Sequence, residues 1–149
     1  MAQNTNTKEH IVDSLYWQSL DLTYQQDAYR AGDTIIESKI IPSKDKLPDY
    51  HQYIYVKGLV LQQSKKYVQA AQIFNDLIQQ LSKNTDSTSQ KILGLSYTRL
   101  AEINAQEDDE EAMNAHCEKA LVHSESTAYD LIEDILEIQY QFYLNHGDN

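Results

Sequence analysis

The chain has 149 residues, of which 41% are apolar, with only four glycines, two prolines and one cysteine. This length suffices for one domain with a hydrophobic core, and the mixture of apolar and charged residues is typical of a globular protein. A single cysteine excludes an intramolecular disulfide and a four-thiolate metal site. We therefore expect a reducing, cytoplasmic environment.

The net charge of −11 is concentrated in the last third of the chain. Residues 1–100 have 11 Lys or Arg against 10 Asp or Glu, whereas residues 101–149 have 1 against 13. Nucleic-acid binding depends on cationic side chains that neutralise phosphates, so direct DNA or RNA binding is not expected. No apolar run approaches the roughly 18 residues of a membrane span, and residues 1–7 are too polar for a secretion signal.

Apolar side chains recur at spacings of three and four through most of the chain, which predicts amphipathic helices. The first pair of helices is expected over about residues 9–42. It stops at Pro42, because proline lacks the amide hydrogen that a helix interior needs. After a charged connector, Asp49 is a predicted N-cap and opens a second pair of helices over about residues 49–82.

The second half of the chain continues the helical pattern. Residues 83–89 are rich in hydroxyl and amide side chains that compete with helical backbone bonding, which predicts an exposed loop. A third pair of helices is expected over about residues 90–123, with an acidic turn at 107–111, and a final helix over about residues 126–145. The sequence therefore predicts a single all-α domain, residues 1–149, with about seven helices.

The second hairpin resembles a tetratricopeptide repeat. A small residue stands where two helices cross, an aromatic residue stands at the turn, and Ala-x-x-x-Phe follows on the return helix. These residues are Ile54, Gly58, Leu61, Tyr67, Ala70 and Phe74. The third hairpin fits with substitutions, such as Asn104 in place of an expected aromatic residue. The residues at the same offsets are Tyr97, Leu100, Ala101, Met113, Cys117, Ala120 and Leu121. Gly32, Ala70 and Met113 are comparable and lie 38 and 43 positions apart, more than the ~34 of the regular repeat.

Irregular arrays of this kind resemble the C-terminal sensor domains of bacterial peptide-responsive transcription regulators. The resemblance implies a right-handed stack of three helical hairpins with a C-terminal capping helix, binding of a short peptide, and dimerisation. It covers only a sensor portion, because residues 1–20 have no counterpart of the basic helix-turn-helix that those regulators carry. The chain is then a fragment, a partner of a separate DNA-binding protein, or unrelated to them.

The resemblance also implies a binding face, because the first helix of each hairpin lines the concave surface of a tetratricopeptide array. Amide side chains there suit a peptide backbone, and aromatic ones supply contact area at small entropic cost. The predicted residues are Gln52, Tyr55, Leu59, Gln62, Thr98, Arg99, Glu102, Trp17, Asp21 and Tyr24. The alternative is a solvated helix face and, for Trp17, a core position. Only Arg99 among them is basic, so a carboxylate clamp is not expected, and Asp21 and Glu102 favour a neutral or cationic ligand.

Two polar clusters suggest metal binding, but a structural role is favoured for both. His116, Cys117 and His123 are of zinc-ligand types, yet adjacent residues of a helix point about 100° apart. Residues 107–111 are all acidic but lack the alternating oxygen ligands and the turning glycine of a calcium loop. No nucleophile–base set, phosphate loop or carboxylate pair stands out. Neither a metal, a cofactor nor a catalysed reaction is therefore expected.

The sequence favours a non-catalytic module that binds a peptide or protein segment. A structural assembly protein is the first alternative, because the last helix has an apolar stripe that suits either a homodimer interface or a cap. This stripe comprises Leu131, Ile135, Ile138 and Phe142. An unrecognised enzyme is the second alternative.

Overall fold

The computed structural model of the chain describes residues 50–124 and 131–147. Within these ranges it contains five α-helices and no strand, which confirms the all-α class. The helices are α1 (Tyr50–Gln63), α2 (Tyr67–Leu81), α3 (Ser87–Gln106), α4 (Glu110–Ser124) and α5 (Ile132–His146). The hairpin predicted over residues 9–42 lies outside the described ranges.

The helix α3 begins earlier than predicted, at Ser87. The carboxylate of Asp86 accepts a hydrogen bond from the backbone N–H of Ser89 at 3.0 Å, which caps the helix. The prediction of a loop as far as residue 89 is therefore wrong for its last three positions. Ser and Thr compete with backbone bonding inside a helix but are well tolerated in a capped first turn, where amide hydrogens have no helical partner.

Two turns of the structure are built alike, 43 positions apart. Lys65 follows α1 and Asp108 follows α3 at the same offset, and both have a positive φ, of 61° and 60°. In each turn the residue that comes next donates its backbone N–H to the carbonyl oxygen five positions earlier: Lys66 to Leu61 at 2.9 Å, and Asp109 to Asn104 at 2.9 Å. The two helix pairs are therefore joined by the same local geometry.

Burial repeats with the same interval in α2 and α4. Side chains 43 positions apart are buried in pairs, and each helix has 15 residues. The pairs are Ala70 and Met113, Phe74 and Cys117, and Leu77 and Ala120. Gly58 and Ala70, expected to lie at a close helix crossing, are both buried. The internal repeat predicted from the sequence thus has a counterpart in turn geometry and in burial.

The chain divides into two compact units, residues 1–73 and 74–149. In the first unit, α1 is buried around much of its circumference, at Tyr53, Tyr55, Val56, Gly58, Leu59 and Val60. In the second unit, α3 packs extensively on α4, and α5 contacts both. Contacts between α3 and α4 pair Asn104 with His116 and Gln90 with His123, so the two helices run antiparallel.

Gly94, in the middle of α3, allows Leu131, the residue just before α5, to pack close to the α3 backbone. A Cβ atom on Gly94 would lie 2.7 Å from Cδ1 of Leu131 and 3.3 Å from Cβ of His123. A contact of 2.7 Å is well below van der Waals separation, so only glycine leaves room for the Leu131 side chain as it stands. Leu131 is almost fully buried at this position.

We predict that Gly94→Leu lowers the free energy of unfolding by about 1–3 kcal/mol or more, because the new side chain overpacks the space that Leu131 fills. Gly94→Ala is the matched control. Its loss is smaller, because alanine is favoured over glycine in a helix by about 1 kcal/mol, which offsets part of the clash. Urea unfolding measures both variants. Equal stability of Gly94→Leu and the unsubstituted chain would contradict this account of the contact.

Candidate functional site

The helix α5 has an inner face that is buried in its own chain. Leu131, just before the helix, and Ile135 and Phe142 within it are almost inaccessible, and Ile138 is half-buried. Since α5 contacts α3 and α4, these side chains pack along the α3–α4 hairpin. These side chains are buried within their own chain, and the expected roles of the apolar stripe as a homodimer interface or a cap stay predictions.

A chain of side-chain hydrogen bonds fixes α5 to α4. Gln139 donates from Nε2 to Oδ1 of Asn114 at 2.9 Å, and Asn114 donates from Nδ2 to the hydroxyl oxygen of Tyr143 at 2.9 Å. The Tyr143 hydroxyl in turn donates to Oε1 of Glu110 at 2.9 Å. Each such bond contributes about 0.5–1.5 kcal/mol net. Their direction, more than their strength, matters here, because together they restrict rotation of α5 about its axis.

The end of α5 is held by His146. Its ring stacks on Phe142 with the centroids 3.9 Å apart. Its Nδ1 lies 2.7 Å from the carbonyl oxygen of Phe142, and its Nε2 lies 2.7 Å from Oδ1 of Asp108 in the α3–α4 turn. Both partners are acceptors, so each ring nitrogen forms its hydrogen bond only when it carries a hydrogen. Gly147 then ends the helix with φ 64°.

The outer face of α5 is apolar as well, and it is exposed. Five large side chains on this helix are between 44% and 61% exposed. They are Ile132, Leu136, Tyr140, Tyr143 and Leu144. We call this set the outer stripe. At about 100° per residue the outer stripe adjoins the buried face, because Ile132, Leu136 and Tyr143 each directly follow a buried residue, and from Ile132 to Leu144 the stripe is about 18 Å long.

Acidic side chains border the outer stripe. Glu133 and Glu137 are exposed and each follows a stripe residue by one position, so both lie on the same flank of the helix. The first turn of α5 contains Glu133 and Asp134. This surface is therefore an apolar ridge with carboxylates along one side.

A second cluster lies between α3 and α4, around the ring of Tyr97. The ring of His123 is stacked on it, with the centroids 5.5 Å apart and the planes at 9°, and the ring of His116 lies 6.0 Å away at 31°. The ammonium of Lys119 is 5.7 Å from the Tyr97 centroid, within reach of a cation–π attraction. The three rings therefore form a layered contact between the two helices.

Hydrogen bonds set the tautomer of both histidines in this cluster. Nδ1 of His116 lies 2.6 Å from Oδ1 of Asn104, and Nδ1 of His123 lies 2.8 Å from Oε1 of Gln90. An amide oxygen only accepts, so Nδ1 donates in each case and any further proton adds at Nε2.

Burial lowers the pKa of both His116 and His123. For His116 the Lys119 ammonium lowers the pKa further, while a hydrogen bond with the backbone of Ala112 and the Asp109 carboxylate oppose the effect. Burial also raises the pKa of the Cys117 thiol to about 11. The thiol is protonated at neutral pH, and a thiol in that form is a poor nucleophile and a poor metal ligand.

The face predicted to bind a peptide is largely closed. Tyr55, Leu59, Thr98 and Arg99 are buried, so the expectation that these side chains are accessible is wrong. Gln52, Gln62 and Glu102 are half-buried. Trp17, Asp21 and Tyr24 lie outside the described residues. The seven described positions are divided between α1 and α3, which belong to different units.

Contacts within α3 partner the polar groups of the two buried α3 positions. The Thr98 hydroxyl donates to the carbonyl oxygen of Gly94 at 2.8 Å, inside its own helix. The Arg99 guanidinium forms an ion pair with Glu102 at 2.7 Å, one turn further along the helix. Glu102 is therefore engaged with a residue of its own chain, and the charge that was expected to attract a cationic ligand is already neutralised.

The outer stripe is the surface that sequence reasoning missed. The sequence contains two apolar series in the last helix, and only the one with Leu131, Ile135, Ile138 and Phe142 was assigned a role. The second series, Ile132, Leu136, Tyr140 and Leu144, is a run of four-residue steps and is equally visible in the sequence. The signal that identifies it is apolar character on two neighbouring faces of one helix.

Comparisons of the chain with family models, with curated proteins and with solved structures gave no match. Over the described part of the chain there is no group of three or more His, Cys, Asp or Glu side chains placed to hold a metal ion. None of the five described helices is long and apolar enough to cross a membrane. The described residues therefore define an all-α protein with an exposed apolar helix face.

We predict that Tyr55→Ala lowers the free energy of unfolding by about 3–5 kcal/mol, as truncation of a buried aromatic side chain does. Gln52→Ala on the same helix is the control, with a change within about 0.5 kcal/mol because its side chain is half-exposed. Thermal and urea unfolding distinguish the two. A normal melting temperature for Tyr55→Ala would contradict the burial of this side chain.

The two histidines around Tyr97 predict a pH dependence of stability. Their pKa values are lower in the folded chain, so the unfolded chain binds more protons as the pH falls. Their contribution to stability is complete above the unfolded-state pKa of about 6.5 and is lost as the pH falls below it. We expect the doubly substituted His116→Gln/His123→Gln chain to lose less stability than the unsubstituted chain between pH 8 and pH 5. Equal losses in urea unfolding would contradict this.

Proposed function

We propose that the chain is a non-catalytic module that binds a protein segment, and that its docking surface is the outer stripe of α5. The observation that carries this proposal is the exposure of five large apolar side chains on one face of one helix. Contiguous exposed apolar surface is unfavourable in water, and where it is rimmed by polar groups it marks interaction sites.

The rigidity of α5 supports this proposal. The helix is anchored by three buried side chains, by the Gln139–Asn114–Tyr143–Glu110 bonds and by His146 at its end. A preformed surface loses little conformational freedom on binding, so more of the contact energy appears as affinity. The outer stripe is thus ready to dock without rearrangement.

We also propose that the helix pairs belong to a tetratricopeptide-like, right-handed stack of about seven helices with α5 as its terminal cap. The matching turns and burial 43 positions apart support this. A terminal cap in a helical repeat protein normally has a polar outer face, which keeps the array soluble. An apolar outer face in that position favours a partner over a bare cap. A role as the sensor or interaction part of a bacterial regulatory system is compatible with such a surface.

Self-assembly is the second candidate, with a second copy of the chain covering the outer stripe. The observation that favours it is the presence of Tyr140 and Tyr143 in the stripe, since aromatic side chains are enriched where protein surfaces meet. Under this reading the chain is a structural assembly protein. Sedimentation at concentrations well above micromolar separates the two candidates, because only self-assembly gives a dimer of the isolated chain.

We predict that a photo-crosslinking amino acid in place of Tyr140 couples the chain to a protein partner in cells that express it. The same amino acid in place of Glu118, an exposed residue of α4, is the control and gives little product. Leu136→Gln should reduce the Tyr140 crosslink without changing the melting temperature, because Leu136 is exposed. The mass of the product distinguishes a second copy from another protein. Equal yields at both positions would contradict the proposed docking surface.

A further inference from the structure

The charge beside the outer stripe restricts what can cover it. Glu133 and Glu137 run along one flank, and residues 101–149 contain 13 acidic against 1 basic residue. A partner that brings negative charge to this flank pays a desolvation cost and gains only repulsion, whereas one with Lys or Arg gains attraction at close range. Anionic lipid surfaces and nucleic acids are disfavoured for the same reason.

The charge also disfavours a second copy of the chain. Two outer stripes packed face to face bring two sets of Glu133 and Glu137 into the same interface, and the described basic residue of this region, Lys119, lies at the Tyr97 ring.

The shape of the stripe indicates a helical partner. It is a straight ridge of side chains in four-residue steps, and such ridges fit into the grooves of a second helix, whose own apolar residues recur at spacings of three and four. At a length of about 18 Å it matches about 12 residues of that helix. Amphipathic helices that lie against apolar surfaces are a common mode of peptide recognition.

We infer that the partner segment is a short cationic amphipathic helix, with apolar residues against Leu136, Tyr140 and Leu144 and with Lys or Arg beside Glu133 and Glu137. This inference rests on the proposed docking surface and adds the chemistry of what docks there. The carboxylates select the partner and orient it on the ridge, while the apolar contact supplies most of the affinity.

The test uses two synthetic helical peptides that share the same leucine pattern and differ only in their flanking residues, Lys in one and Glu in the other. Fluorescence anisotropy measures their affinity for the full chain at low ionic strength. We expect the Lys peptide to bind at least about tenfold more tightly, as two ion pairs at a partly covered surface imply. Equal affinities for the two peptides would overturn the inference.

Charge-matched variants separate the site from the general acidity of the chain. Glu133→Lys/Glu137→Lys should remove or reverse the preference for the Lys peptide. Glu107→Lys/Glu118→Lys makes the same change in net charge at exposed positions outside α5 and should keep the preference. If both double variants lose it to the same extent, the attraction is non-specific and the inference fails.

Leu136→Gln/Tyr140→Gln distinguishes failure of this inference from failure of the docking surface. This variant removes two apolar anchors without changing the charge, and circular dichroism verifies that it folds; Leu136→Gln alone replaces it if it does not. If it leaves both affinities unchanged, the outer stripe is not the docking surface. If it removes binding but charge reversal at Glu133 and Glu137 has no effect, the docking surface stands and only the inference of a cationic partner is wrong. A dimer of the unsubstituted chain that this variant dissociates would instead assign the stripe to a second copy.

Discussion

The packing of Leu131 against Gly94 holds the last helix at its start. Glycine in the middle of a helix costs about 1 kcal/mol relative to alanine, and here that cost leaves space for the Leu131 side chain. Because Leu131 immediately precedes α5, its position sets the direction from which the helix starts. Ile135 and Phe142 then fall on the same side and are buried with it.

Apolar burial and polar contacts contribute differently to this arrangement. Full burial of each large side chain contributes about 1.5–3 kcal/mol, so the three inner residues supply most of the energy that holds α5. The bonds from Gln139, Tyr143 and His146 lie nearer the solvent and contribute less each. They are directional, however, and therefore fix the rotation that apolar contacts leave free.

The same rotation creates the surface that we propose as functional. A helix that is apolar on two neighbouring faces presents one of them to solvent whenever its own chain covers only the other. In α5 the uncovered side carries Leu136 and Tyr140, next to carboxylates in a strongly acidic part of the chain. Retaining apolar surface in such a setting is unfavourable for the isolated chain and favourable for a complex with a cationic helix.

Much of the local structure follows from the sequence, because it depends on neighbours along the chain. The helical spacing of apolar residues and the helix-breaking residues predict α1 and α2 as the second hairpin and α3 and α4 as the third. Only the start of α3 is earlier than predicted, because Asp86 caps it. The interval of 43 between Ala70 and Met113 reappears in the turns, since a turn is set by a few consecutive residues.

The identity of the covered faces was decided by tertiary structure. A helical period shows which residues share a face, but α1 has apolar residues around most of its circumference and α5 has them on two sides, so periodicity does not select one. Tyr55, Leu59, Thr98 and Arg99 are therefore buried although they were predicted to face a ligand. In α5 the buried series begins with Leu131, which packs against Gly94, 37 positions earlier in the sequence. By itself the sequence determined an all-helical, acidic chain with an internal repeat; packing between distant residues determined which of its apolar surfaces remain exposed.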